Sequence, residues 1–204
     1  MKIEDYNLTK IELKKYQKFY SAKKLGDREY SNFRSGDVSK FKLIHVKVKM
    51  IENKQEENGT TLLCGIHRLK SFQRDGGIYG SKEGIYFYHY SNLHIFGCDY
   101  SGLKTDLKFD SNGECLTIQV DRTNDLLSFI DDHNTKWSIQ LSKVVGEDPF
   151  AFSFEMYQPN VEIQFQFLSY NNPKEFPKAG EKELFLDLNS SISPNSRKEK
   201  SSLF

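Results

Sequence analysis

Residues 115–168 read CLTIQVDRTNDLLSFIDDHNTKWSIQLSKVVGEDPFAFSFEMYQPNVEIQFQFL and contain five short runs of alternating apolar and polar residues. Polar turns separate these runs at nearly even spacing. A period of two is typical of half-buried strands, so the repeated pattern predicts an antiparallel sheet in an all-β domain. Sheets with one apolar face bury those faces against each other, and the stretch therefore predicts a β-sandwich.

The last two runs divide most clearly into faces. In residues 150–157 and 161–168, every second residue is Phe, Met, Val or Ile, and polar residues predominate between them. Gln-Pro-Asn at 158–160 has about the length of a hairpin turn. We therefore expect two adjacent strands joined by this turn.

The same reading extends toward the N-terminus. Residues 41–51, FKLIHVKVKMI, alternate and predict another half-buried strand, and residues 61–67 predict the next one. Residues 71–84 contain four glycines and no periodicity. Long loops in compact domains often carry function, so this loop is a candidate binding element.

The N-terminal region follows a different pattern. Apolar residues in 8–24 recur at roughly helical spacing with lysines between them, which predicts an amphipathic helix that ends at Gly26. We therefore divide the chain into a basic N-terminal helical arm over 1–38, a β-sandwich over 39–188, and a Ser- and Lys-rich disordered tail over 189–204.

Charge is unevenly distributed along the 204 residues. Residues 1–50 hold thirteen Lys and Arg against six Asp and Glu, so they carry +7 and leave −6 for the rest of a chain whose total is +1. This asymmetry indicates either an acidic partner for residues 1–50 or a solvated lysine-rich face, and we favour the second. Nucleic acid is a disfavoured partner.

Composition also bears on location. No apolar run is long enough for a transmembrane helix, and the opening MKIEDYNLTK lacks the apolar core of a secretory signal. The three cysteines are widely spread and form no CxxC pair, which favours reduced thiols. We therefore expect a cytoplasmic protein without a membrane span.

Motifs for catalysis or metal binding are absent from the sequence. His89 and His94 have no third ligand at suitable spacing, and Asp110, Asn112 and Glu114 form only a fragment of a calcium loop. The paired carboxylates of a glucanase strand, GxSxG, HExxH and a phosphate-binding GKS/T are all missing. We expect no enzymatic activity, no metal site and no cofactor.

A series of core and turn residues runs through the second half of the chain: Gly84-Ile85-Tyr86, Phe109, Gly113-Glu114, Ile118-Gln119-Val120-Asp121-Arg122, Leu127-Ser128-Phe129-Ile130, Asp131-Asp132-His133-Asn134, Pro149-Phe150-Ala151-Phe152 and Val161-Glu162-Ile163-Gln164-Phe165. This series resembles the SPRY domain family. The Trp-rich early strand of that family is absent, since Trp137 is the only Trp.

The resemblance implies a bent antiparallel β-sandwich of the concanavalin-like kind. Such domains bind short peptides or protein surfaces through loops at one end. They often serve as substrate-recognition parts of ubiquitin ligases or as scaffold modules.

Aromatic residues with a neighbouring Arg are favoured in binding hot spots. The strand IYFYHY at 85–90 carries three tyrosines on one face, beside the glycine-rich loop. For each single ring, burial in the core remains the alternative. The residues that we assign to partner binding are Arg74, Tyr79, Tyr86, Tyr88, Tyr90, His94 and Trp137.

The sequence thus favours a non-catalytic module that binds a protein or short peptide as a substrate-recognition or scaffold component. One alternative is a structural subunit of a large assembly, docked by the basic N-terminal arm. The other is a carbohydrate-binding, lectin-like domain on the same fold.

Overall fold

The computed structural model describes residues 1–52, 62–78, 81–89, 94–97, 100–109 and 114–169. This part of the chain forms fourteen strands and one short α-helix, α1 (Leu141–Val145). The strands are β1 (Ile3–Tyr6), β2 (Ile11–Lys15), β3 (Tyr20–Lys24), β4 (Ser31–Ser35), β5 (Leu43–Glu52), β6 (Leu62–Arg68), β7 (Gly84–His89), β8 (His94–Gly97), β9 (Tyr100–Lys104), β10 (Cys115–Asp121), β11 (Leu126–Asp131), β12 (Lys136–Gln140), β13 (Phe150–Met156) and β14 (Glu162–Ser169).

The strands form two seven-stranded antiparallel sheets. The first sheet has the order β1-β4-β13-β6-β7-β8-β9, and the second has the order β12-β11-β10-β5-β14-β3-β2. Their apolar faces meet in one large core. The predicted all-β antiparallel sandwich is therefore confirmed.

The alternating pattern decides which side chains enter the core. In β13, Phe154 points inward and stacks on Phe33 of β4, with ring centroids 4.7 Å apart. Both rings also meet Phe165 of β14 in the opposite sheet, at 5.1 Å from Phe154 and 5.6 Å from Phe33. All three rings are fully buried, so they join the two sheets through a large apolar contact area.

β13 and β14 do not form the expected hairpin. β13 pairs with β4 and β6 in the first sheet, whereas β14 pairs with β3 and β5 in the second. The connecting turn places Asn160 at a φ of 64° and passes from one sheet to the other. Each strand therefore contributes its apolar face to the same core from opposite sides.

The helix predicted for residues 8–24 is wrong. This segment forms β2 and β3, which pair with each other, and β3 pairs with β14. The turn between them is closed by a hydrogen bond from the Tyr16 N–H to the Phe19 carbonyl, at 2.8 Å, and these two rings stack. Within β2, the apolar residues Ile11 and Leu13 alternate with polar ones, as in a strand. The spacing looks helical only when the apolar residues of both strands are counted across the turn.

Residues 1–38 are consequently part of the sandwich rather than an arm beside it. β1 and β4 belong to the first sheet, while β2 and β3 extend the second. The predicted tail over 189–204 lies outside the described residues. Among those described, no helix has the length and apolar character needed to cross a membrane.

Candidate functional site

The loop that follows β6 covers part of the first sheet on the side away from the core. We refer to residues 71–78 as the covering loop. Asp75 forms a β-bridge with Ser31, and the backbone N–H of Asn32 donates to the Arg74 carbonyl at 2.9 Å. The covering loop therefore lies against the start of β4.

Two buried polar side chains hold the main chain of this loop. The Asn32 side-chain nitrogen Nδ2 donates to the carbonyls of Gln73, at 2.9 Å, and Gly76, at 2.7 Å. The Glu155 carboxyl accepts a hydrogen bond from the backbone N–H of Ile78. Asn32 is 0% and Glu155 1% exposed. Because these contacts reach the main chain only, they fix the path of the loop without using its side chains.

Two glycines allow this geometry. Gly76 has a φ of 96°, a region that residues with a Cβ rarely adopt. Gly65 lies on the outward side of β6, where an added Cβ would be 2.0 Å from the Ile85 carbonyl oxygen of β7. Only a glycine lets β6 and β7 approach this closely beneath the loop.

The start of the covering loop contacts a buried histidine and tyrosine. His67 Nδ1 is hydrogen-bonded to the Tyr86 hydroxyl, and His67 Nε2 lies 3.2 Å from Ser71 Oγ. Burial lowers the pKa of His67, so its imidazole is neutral near pH 7. Tyr86 also packs with Leu63 and Ile78 in a small apolar cluster outside the main core. This cluster adds apolar support under the loop.

The outward surface of the loop presents charge and aromatic rings. The Arg74 side chain is 62% exposed and pairs with Asp5. Tyr30 is 40% exposed, and its ring lies 4.8 Å from that of Tyr157 and beside Gly77. We call Tyr30, Tyr157 and the covering loop the loop surface.

The N-terminal strands help to fix the edge of the loop surface. Lys10 pairs with Asp75 and with Glu29, each at 3.0 Å. The hydrogen bond to Asp75 is the main cause of a raised pKa at Lys10. This basic charge of the N-terminal segment is thus paired within the chain.

The predicted binding residues differ in their exposure and in their position in the fold. Arg74 is exposed on the covering loop, whereas Tyr86 is fully buried beneath it and serves as support. Tyr88 is half-buried and packs against the same small cluster as Tyr86. Tyr86 and Tyr88 share this cluster on the outward side of the first sheet, whereas Arg74 pairs with Asp5 of β1 at the edge of that sheet.

The other predicted residues are separate or not described. His94 in β8 is the register partner of Tyr88, and its side chain is not described. Trp137 belongs to β12 at the edge of the second sheet and packs toward the core, 6.0 Å from Phe129. It therefore does not join the loop surface. Tyr79 and Tyr90 lie outside the described residues.

Sequence reasoning did not assign Tyr30 and Tyr157 to the site. Tyr157 follows β13 on its polar face, which marks it as outward but gives no partner. Tyr30 precedes β4 in a segment for which the sequence predicts a helical arm. Their contact depends on the pairing of β4 with β13, which no local pattern reports.

Across the described residues, no group of three or more His, Cys, Asp or Glu side chains is arranged to hold a metal ion.

No protein-family profile matches this sequence, and no curated protein matches it. Solved structures do match. The SPRY domain of human HERC1 aligns with 82% of this chain and 99% of its own, at 12% identity and a TM-score of 0.50. The PSpry domain of TRIM65 aligns with 79% of this chain and 87% of its own, at 9% identity and a TM-score of 0.53.

A carbohydrate recognition domain is equally similar. That of Emp46p, in its metal-free form, aligns with 77% of this chain and 85% of its own, at 10% identity and a TM-score of 0.54. Identities this low establish the fold alone. The chain therefore has the β-sandwich fold that SPRY domains share with lectin-like domains, and the resemblance to SPRY domains predicted from its residues is confirmed.

Proposed function

We propose that this chain is a non-catalytic module that binds a protein or a short peptide through the loop surface. The observation that supports this proposal most strongly is the way in which buried side chains hold the covering loop. Asn32 and Glu155 bond its main chain from below, while Arg74 is left exposed on the outside. A loop that is ordered before binding loses little conformational entropy when a partner arrives, so more of the contact energy appears as affinity.

The chemistry of the surface supports the same proposal. Tyr and Arg are the residue types that most often dominate binding energy, because they combine large contact area with directed hydrogen bonds. Tyr30, Tyr157 and Arg74 provide this combination. Tyr88 is proposed as a contact at the margin of the surface, and Tyr79, which follows Ile78 in the chain, as a further one.

The biological role that we propose is substrate recognition or scaffolding in the cytoplasm, as the SPRY resemblance implies. Under this proposal, catalysis belongs to a partner, as it would if the module were the adaptor of a ubiquitin ligase. An acidic partner for residues 1–50 remains a separate proposal.

A displayed library of random peptides tests the binding function. The folded protein should select peptides, and Tyr30→Ala and Arg74→Ala should each weaken the selected peptides about 30-fold, since removal of a hot-spot side chain costs about 2 kcal/mol. Affinities would be measured by titration calorimetry on variants with unchanged circular dichroism.

Matched controls lie on the second sheet. Tyr16 is 47% exposed at the β2–β3 turn, and Arg122 is exposed just after β10. Tyr16→Ala and Arg122→Ala should leave peptide affinity unchanged. Equal losses in control and test variants, or affinities unaffected by either test variant, would refute the site.

Carbohydrate binding is the second candidate, and the similarity to the Emp46p domain favours it. A glycan array probed with the same variants separates the two. Glycan binding without peptide selection would replace the first proposal.

The structural-subunit alternative assumed a detachable N-terminal arm. Residues 1–38 instead provide four strands of the sandwich. Deleting them would remove strands from both sheets, so docking through a free arm has no support in this fold.

A further inference from the structure

Two buried oxygen atoms beneath the covering loop lack a hydrogen-bond donor. They are Glu155 Oε1 and Asn32 Oδ1. Glu155 in β13 and Asn32 in β4 are direct register partners. Both side chains point away from the core, because Phe154 and Phe33 beside them in each strand point into it. Side chains at such a cross-strand position start about 5 Å apart at Cβ and contact each other.

The orientation of the Asn32 amide is fixed. Its nitrogen donates to Gln73 and Gly76, so turning the amide would break both bonds and place its oxygen against two carbonyls. Asn32 Oδ1 therefore requires a donor from elsewhere, and an unsatisfied buried acceptor is costly.

The Glu155 carboxyl has one remaining position for a proton. Its Oε2 already accepts from the Ile78 N–H, and its Oε1 has no partner. A proton on Oε1 would make it a donor, and the register places Glu155 directly opposite Asn32, whose Oδ1 needs one. This single proton satisfies both unpartnered oxygens and leaves the bond to Ile78 intact.

We propose that Glu155 is protonated when the covering loop is in place, that it donates to Asn32, and that its ionisation releases the loop. The loop surface is then available in its ordered form only while this proton is bound.

Several charged or titratable groups lie on the elements that pack around Glu155. β4 contributes Arg34, and the loop contributes Arg74 and Asp75, both exposed. Tyr157 follows β13, and β6 contributes Leu63 and Gly65 as register neighbours. Farther along β6, His67 is hydrogen-bonded to Tyr86 of β7, which packs with Ile78, and burial lowers the pKa of His67.

Arg34 is the nearest of these cations in the register; its terminal guanidinium nitrogens are engaged by β1, while its Nε lacks a hydrogen-bond partner. It lies 3.8 Å from Glu4 and 3.6 Å from Asp5 in β1, and its guanidinium lies over the Phe72 ring. Among the described residues, no cation is recorded as an ion-pair partner of Glu155. Its carboxylate would therefore be buried without a counter-charge, which is strongly unfavourable.

Burial raises the pKa of Glu155 from 4.5 to about 7, and the Ile78 N–H opposes this shift. The folded protein thus binds the proton more tightly than a state with the loop released. Stabilisation of the seated loop is complete below the ordinary carboxyl pKa and declines as the pH rises through about 7. The sensitive range includes neutral pH.

This inference concerns the regulation of the proposed binding surface, but its test needs no ligand. Hydrogen exchange at the Ile78 amide, corrected for intrinsic exchange, reports loop opening. Between about pH 6 and about pH 8, opening of the wild-type loop should increase about tenfold, because the released state loses the proton first. A peptide that still binds a pH-insensitive loop would leave the proposed function intact and overturn only this inference.

Glu155→Gln provides the key comparison, since an amide keeps one acceptor and one donor but does not ionise. This variant should show no pH dependence of opening over the same range. Glu147→Gln removes an exposed carboxylate and should keep the increase in loop opening of about tenfold that is expected for the wild type.

A carbon-13 NMR titration of the Glu155 carboxyl in the wild type gives a readout that does not depend on any variant. A midpoint near 7 supports the proposal. An ordinary carboxyl midpoint, pH-independent opening in the wild type, or pH-dependent opening in Glu155→Gln would each overturn it.

Discussion

Asn32→Asp is expected to release the covering loop while changing the side-chain shape very little. The substitution replaces Nδ2 by an oxygen and removes the hydrogen bonds to Gln73 and Gly76. Two such bonds contribute about 2 kcal/mol, and the unsatisfied buried acceptors add about 1–3 kcal/mol. The new carboxyl also faces Glu155 across the strand pair. We therefore expect the free energy of unfolding to fall by about 3–5 kcal/mol. The fall is smaller if the released loop exposes these polar groups to water, because hydration then replaces part of the lost hydrogen bonding.

Urea unfolding measures the global effect, and Trp137, the only Trp, reports it by fluorescence from the second sheet. Tryptic cleavage after the exposed Arg74 measures local release. Asn124→Asp is the matched control, because its Nδ2 also donates, to Asp121 at 2.7 Å, but at an exposed turn. It should cost about 0.5 kcal/mol or less. The reasoning is refuted if the two variants have similar stabilities and the rate of cleavage at Arg74 stays unchanged.

Two further outcomes follow from the packing. Gly65→Ala should destabilise the fold by about 3 kcal/mol or more, since the added Cβ would overlap the Ile85 carbonyl. Gly26 has a φ of 69° but open space around it, so Gly26→Ala should cost about 1 kcal/mol. Similar losses of stability for the two variants in urea unfolding would contradict this reasoning. Cys64 and Cys115 should resist iodoacetamide in the native protein, because burial raises the pKa of both thiols, that of Cys115 to about 12. Peptide mass mapping should find them modified only after unfolding, and rapid native labelling would show that these cysteines are accessible.

Strand patterns were predictable where the alternation was long. In residues 150–157 the apolar face read from the sequence is the face of β13 that enters the main core, although the opposite face is buried as well, and residues 41–51 correspond closely to β5. A period of two reports how each strand divides between core and outside, and that is a local property. The same pattern carries no information on which strand lies beside it, so β13 and β14 were placed in one hairpin rather than in opposite sheets.

The N-terminal error has a related cause. Residues 8–24 form a tight pair of strands, and a turn between two alternating segments shifts the phase of the apolar pattern. Read without the turn, the shifted pattern approximates helical spacing. Pairing of β3 with β14 decides the structure, because the edge of the second sheet offers hydrogen bonds and apolar contact to an extended segment.

The loop that we propose as a binding site was predictable from the sequence, but the residues around it were not. The glycine-rich loop and Arg74 were found from the sequence, because glycines and missing periodicity mark loops locally. Tyr86 was predicted as a contact, yet it is buried under the loop. The tyrosine-bearing face of β7 points away from the main core, and Tyr86 is buried on that face because it packs with Ile78 of the covering loop.

The sequence by itself determined an all-β sandwich, the inward face of its clearest strands and the position of the glycine-rich loop, because these depend on residues near one another in the chain. The tertiary structure decided the order of strands in each sheet, the burial of Asn32 and Glu155 beneath the covering loop, and the meeting of Tyr30 with Tyr157. These features depend on contacts between segments far apart in the chain, whose free energies no local pattern contains.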